Sequence, residues 1–344
     1  MMRRRHNILF ALFAVATVVL FVVDLAIGSV AIPLGEVWRG LFGATPEASA
    51  EPLQLIVRNF RLPKAVMALL AGAALSTVGL QMQTLFRNPL AGPYVLGVSS
   101  GASLGVSIML LGLPLLGVAT SDPVVHNVGV AGAAWIGSAL IMMVVMAVTA
   151  RIKNIMTVLI LGMMFGSAAS ALVEIMQYLS PEGALKSYVV WTMGSLGGVT
   201  LSQLWVIVPV IVVGLVISVL LIKPLNILLL GENYARTMGL NIKRTRFMVT
   251  LTTVLLAGTV TAYCGPIGFI GLAVPHVARM LFREADHKVL VPATMLSGAT
   301  IMLLCDIATS LLSGDVTLPI NTVSALVGIP IVVVVIFRNR KIMM

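Results

Sequence analysis

This 344-residue sequence is poor in charge. Only 10% of it is Asp, Glu, Lys or Arg, where an ordinary soluble domain carries about 25%. With a mean hydropathy of +1.07, that scarcity excludes a soluble globular chain and implies an integral membrane protein. Cysteine is scarce too. Cys264 and Cys305 stand singly in apolar segments, with no CxxC and no metal-ligand spacing, and read as small packing residues. There is no Gly-Lys dipeptide, which excludes a phosphate-binding loop of the G-x-x-x-x-G-K-[ST] type. If ATP is used, another chain binds it. No catalytic constellation appears. Acidic residues within apolar segments are Asp24, Glu174 and Asp306, all toward the outer ends. A proton or sodium relay draws its charges nearer mid-membrane, so ion coupling is disfavoured.

What is present is a succession of apolar segments of helical length. That excludes a barrel, whose strands run about 10 residues and alternate. Arg3, Arg4 and Arg5 precede an apolar run from Ile8 to Val23. It has features of a signal peptide but is long for one, and reads as a retained first span. Further spans are expected at 63–84, 93–117, 128–150, 155–179, 203–222, 247–264, 267–282, 289–312 and 319–337, with 267–282, short and containing Pro275, the least regular. The fold class is therefore an all-α polytopic bundle of about ten helices with short cytoplasmic helices and both termini cytoplasmic. Alternating the loops places 17 of the 22 basic residues inside, as the positive-inside rule demands. That bias explains a net charge of +10 without nucleic acid.

The polar stretch Lys223–Arg246 organises the rest. It holds Lys223, Arg236, Lys243, Arg244 and Arg246 between long apolar segments. Pro224 is expected to stop the preceding helix. Gly231 breaks the chain, Glu232 opens a short helix at its positive end, and Gly239 closes it as a left-handed cap. The segment reads either as a dock for a soluble partner or as a solvated connector.

Four of the five outside basic residues, Arg39, Arg58, Arg61 and Lys64, lie before or at the start of the second span. They are either snorkelling anchors or a dock for an acidic external partner, with Pro63 setting the start of the span. Gly97, Gly101 and Gly105 fall on one face of the third span, and Gly162 and Gly166 on one face of the fifth, as close helix packing in lipid requires. Two irregular stretches, Arg87–Tyr94 and Cys264–Gly271, interrupt the pattern at membrane depth, each following a helix that contains L-L-A-G. The weak similarity divides one permease domain, 1–344, into inverted halves at about 58–180 and 244–338, joined through 203–246, an arrangement common among transporters.

Several motifs in order carry a resemblance: R-L-P-K at Arg61, Q-x-x-F-R-N-P-L-A-x-P at Gln83–Pro93, L-G-V-S-S-G-A at Leu96, G-P-I-G-F-I-G-L-x-x-P-H at Gly265–His276 and D-H-x-x-L-x-P at Asp286–Pro292. G-E-x-x-A-x-x-M-G at Gly231–Gly239 is similar to the same family's central motif, with Met238 where Leu is usual. The chain resembles the FecCD family, the permease subunits of ABC importers for iron-siderophores, haem and cobalamin. The resemblance implies an inner-membrane permease paired with a second copy or homologue, two cytoplasmic ATPases that bind the ATP and Mg, and a periplasmic or lipid-anchored binding protein. No cofactor is expected in this chain. Gly231, Glu232, Ala235, Arg236, Met238, Gly239 and Leu240 would couple to the ATPase. Asn88 and Leu90, with Ile155 and Met156, would form the gate, the latter two being apolar where the cobalamin permease has small hydroxyl residues. Arg58, Arg61 and Lys64 form the basic cluster before the second span, and of these Arg61 and Lys64 match the family's basic pair that docks the binding protein. Ser310 stands where the family has a further arginine, so the docking is expected to be lopsided. Iron-siderophore is the favoured cargo. An ion-coupled secondary transporter, and a membrane anchor that merely recruits a partner, are the competing readings.

Overall fold

The chain is described here from a computed structural model, covering residues 2–28, 30–43, 52–115, 123–149, 152, 155–312 and 318–340. Among these the structure is helical, with no strand. In chain order the helices are α1 (Met2–Ala26), α2 (Leu34–Phe42), α3 (Pro52–Leu85), α4 (Val98–Gly112), α5 (Pro123–Thr149), α6 (Ile155–Leu179), α7 (Glu182–Met193), α8 (Leu201–Leu220), α9 (Ile222–Leu229), α10 (Glu232–Thr237), α11 (Ile242–Cys264), α12 (Ile270–Phe282), α13 (His287–Leu312) and α14 (Ile320–Arg340). Seven are long and apolar enough to cross a membrane, and α4, α12 and the Ile320–Val334 part of α14 are shorter apolar helices. Their outward faces are apolar, as on α1, where Ile8, Leu12, Val15 and Val19 are exposed. Exposed apolar faces on self-bonded helices suit a hydrocarbon solvent.

Proline placement departs from the sequence reading in two places. Pro63 does not start its helix. α3 begins at Pro52 and passes Pro63 through a π-helical turn at Val57–Arg61. A proline ring collides with the carbonyl four residues back, and widening the turn relieves that collision. The π turn at Ile108–Gly112 precedes Pro114 in the same way. Pro224 does not end a helix either. α8 stops at Leu220, and Pro224 is the third residue of α9, in a first turn whose N–H groups have no intrahelical acceptor. The segment 267–282 resolves into a separate α12, with Pro275 inside it.

The chain forms two compact units, one from residues 1–77, 195–209 and 268–344, the other from 78–194 and 210–267. In the first, α3 packs on α13 where Gly72 meets Gly298, so closely that a Cβ at either would strike the other's carbonyl. Ser76 Oγ donates to the Thr294 carbonyl at 3.0 Å. α1 is tied to α13 by a buried hydroxyl pair, Thr17 and Thr300, at 2.7 Å. In the second, Gly101 and Gly105 of α4 meet Gly137 and Ala133 of α5 with the same closeness, and Ser138 Oγ donates to the Val98 carbonyl at 3.0 Å. Small residues and hydroxyls replace the hydrophobic force that lipid does not supply. Gly97 is not inside the helix, as the periodicity implies, but caps it at φ +82°. It still faces Gly162 and Gly166 of α6.

Candidate functional site

The central polar stretch folds as three helices, α9, α10 and the start of α11. Gly231 (φ +104°) and Gly239 (φ +80°) bracket α10, and an L side chain at either would be strained. Gly239 has open space around it, so its requirement is conformational alone. The Leu240 N–H returns to the Ala235 carbonyl at 2.9 Å, which closes the helix over a fully buried Ala235. Asn241 caps α11, its Oδ1 accepting from the Arg244 N–H at 3.0 Å. Glu232 accepts from Arg246 and lies 3.9 Å from Arg236. Arg246 also reaches the Ile152 carbonyl at 3.4 Å. The pairing across 14 residues positions α10 against α11. Tyr234 (69% exposed) and Met238 (57% exposed) project outward, and Lys223, Lys243 and Arg244 of the same stretch are exposed as well. Exposed Tyr and Met side chains together with exposed cations are the residue types of a protein interface and its polar rim.

Arg87, in the left-handed region at φ +49°, ends α3. The Asn88 N–H returns to the Gln83 carbonyl at 3.1 Å, the closure that normally calls for glycine. Asn88 Oδ1 then accepts the Leu90 N–H at 2.9 Å, making a tight turn that leaves Leu90 exposed. Met156 is exposed at the start of α6. The Ile155 side chain, and the expected inside residues Arg151, Lys153 and Lys341, lie outside what is described. The two irregular stretches meet. Tyr94 Oη donates to the Ile267 carbonyl at 2.7 Å and accepts its N–H at 3.2 Å. One side chain thus satisfies both backbone groups of a residue outside any helix, as non-helical backbone at membrane depth requires. Gly265 is needed beside it, because a Cβ there would strike the Trp191 carbonyl. Next to Tyr94, a cavity of about 660 Å³ is lined by Ser100, Gly166, Ser167, Ser170 and Glu174.

The basic cluster before the second span is placed differently. Arg58 is exposed. Arg61 is buried, donating to the carbonyls of Leu25, Ile27 and Val30. It thereby caps the negative end of α1. Lys64 Nζ lies 3.0 Å from Asp306 Oδ1 and 2.9 Å from Ser310 Oγ. Asp24 joins the group, close to Asp306, Lys64 and Arg61, so two acids and two bases share one neighbourhood. Lys64 and Asp306 border a cavity of about 430 Å³ with Thr309 and Ser310. The sequence shows both acids but does not by itself pair them with the bases. The signal was there: two acids and two bases at the same ends of apolar segments, each costly unless paired. Tyr94 left no such signal, because it is uncharged and its partner Ile267 lies 173 residues away.

The model of the FecCD transport family matches residues 16–338. The vitamin B12 import system permease protein BtuC of Klebsiella pneumoniae is 36% identical over 339 residues, covering 98% of this chain and 96% of that protein. The hemin transport system permease protein HmuU of Yersinia pestis is 35% identical, covering 82% of this chain and 83% of that protein. Among solved structures, a metal-chelate type ABC transporter in an inward-facing conformation superposes with a TM-score of 0.82 at 30% identity, over 96% of this chain and 99% of that one.

Proposed function

Because the chain belongs to the FecCD transport family, we propose that it is the membrane permease of an ATP-driven importer of a metal chelate, with iron-siderophore, haem and cobalamin as the cargo classes. It is a multi-pass membrane protein of ten spans with both ends cytoplasmic, paired with a second copy or homologue. The observation that carries the reading is the central segment. α10 is held between two left-handed glycines, closed over buried Ala235, and exposes Tyr234 and Met238 in a stretch whose Lys223, Lys243 and Arg244 are exposed as well. We assign it to a cytoplasmic ATPase that binds ATP and Mg. Gly231 and Gly239 set its angle, and Glu232, through Arg246, passes its displacement to α11. Arg236, Met238 and Leu240 complete the surface.

Asn88 and Leu90, with Met156 and Ile155, form the inner gate. The cavity beside Tyr94 belongs to the route. Its hydroxyls and glycines supply weak polar contacts along a wide wall, which suits a large cargo whose metal keeps its own ligands. Arg58 meets an acidic periplasmic or lipid-anchored binding protein first. Arg61 and Lys64 hold the surface beneath it, with Ser310 taking one hydrogen bond from Lys64. Uptake into vesicles carrying this chain with its ATPase and binding protein tests the reading. Chelate accumulation should require internal ATP and ignore ionophores. Loss of uptake on collapse of the proton gradient, with ATP maintained, assigns the chain to ion-coupled transport instead.

A further inference from the structure

The second unit carries a cleft of about 400 Å³ whose apolar walls the transport reading does not use. Its walls are Leu85, Phe86, Leu96, Met142, Met146 and Phe247, and its volume lies within the range of about 300–1,000 Å³ typical of ligand sites. On one side it is open, where Met143 and Phe247 are half exposed. One end is basic: Lys243 and Arg246, three residues apart on the first turns of α11, border it. Arg246 is engaged with Glu232. Lys243 is exposed and has no ion pair among the described residues. An unneutralised cation at the mouth of an otherwise apolar, laterally open slot matches an amphiphile with one anionic end. A soluble anion would find no use for the apolar wall, and an apolar molecule none for the cations.

We propose that this cleft binds an anionic phospholipid of the cytoplasmic leaflet, its phosphate on Lys243 and the upper part of one acyl chain against Met142 and Met146. The α5 wall from Met142 to Ala147 rises about 8 Å at 1.5 Å per residue, so the rest of the chain stays in the bilayer. Basic recesses between membrane helices on the cytoplasmic side recognise anionic headgroups by this chemistry. The unbranched methionines adapt to a chain of any conformation. Lys243 and Arg246 share a helix face, so the headgroup charge also reaches the guanidinium that holds Glu232 of α10.

The site needs no transport partner, so its failure leaves the permease reading intact. The test is lipid retention by the purified full chain, read by native mass spectrometry after equilibration with vesicles of phosphatidylglycerol and phosphatidylcholine of equal chain length. Wild type should keep phosphatidylglycerol in preference. Lys243→Gln, a change on an exposed side chain, should cut that preference about fivefold, the effect of one lysine near an anionic surface. Met146→Trp, which fills the slot, should reduce retention of both lipids. Glycerol phosphate should not compete, because it has no acyl chain. Equal retention of the two lipids by wild type, an unchanged preference in Lys243→Gln, or displacement by glycerol phosphate would each overturn the proposal.

Discussion

The Lys64 cluster and the central segment hold similar numbers of charges and use them in opposite ways. Around Lys64, every charge but Arg58 is turned inward. Asp306 is 2% exposed and paired, and Arg61 is spent on the end of α1. In the central segment Arg236 is 51% exposed, its partner Glu232 is 24% exposed, and Lys223, Lys243 and Arg244 are exposed, as are Tyr234 and Met238. Buried ions must be matched within the fold because desolvation is costly, and a matched ion has little left for a partner. Unmatched cations beside exposed apolar side chains are cheap in water and available. A count of basic residues treats the two regions alike. Burial separates them, and on the proposed reading they are a strut and a dock.

Asp306→Ala breaks this contrast most severely. It leaves the Lys64 ammonium without its carboxylate, and removing one member of a buried pair costs about 3–5 kcal/mol. Since Lys64 is itself 27% exposed, the lower end applies, read as a fall in the thermal unfolding midpoint. Adding Lys64→Met should restore most of the loss, and no recovery would mean that Asp306 acts through something other than Lys64. Gly239→Val comes next. A β-branched residue at φ +80° carries strain of about 1–3 kcal/mol. That strain should disorder the α10–α11 corner and abolish ATP-driven uptake while the unfolding midpoint moves little.

Tyr94→Phe strands the Ile267 carbonyl and N–H and should cost about 1–2 kcal/mol, seen as faster amide exchange at Ile267 and Gly268. Arg236→Gln should be the mildest. Its pair with Glu232 is 3.9 Å long and half exposed, so stability should change by less than about 0.5 kcal/mol. ATPase affinity should fall, more at low salt than at high.

Helix positions, the bracketing of α10 by two glycines and the interrupted stretches at Arg87 and Cys264 were legible because each follows from local chemistry. Apolar length sets a span, and positive φ demands glycine. What was illegible depends on partners far away in the chain. Nothing near Pro63 tells that α3 will run through it by a π turn. Nothing near Arg61 tells that its guanidinium will turn to the end of α1. Ser310 is expected to weaken docking on a side away from Lys64, and the structure instead joins the two by a hydrogen bond at 2.9 Å. The basic cluster looked like a surface because charge is a surface signal, and a buried acid on a helix hundreds of residues away reverses that signal.

The most direct test of the strut-and-dock distinction is co-purification of the cognate ATPase with two folded variants of this chain, Tyr234→Ala/Met238→Ala and Asp306→Ala/Lys64→Met. The account predicts that the first loses the ATPase while keeping the wild-type unfolding midpoint, and that the second retains it in full. Retention of the ATPase by the first, or its loss from the second, would contradict the account.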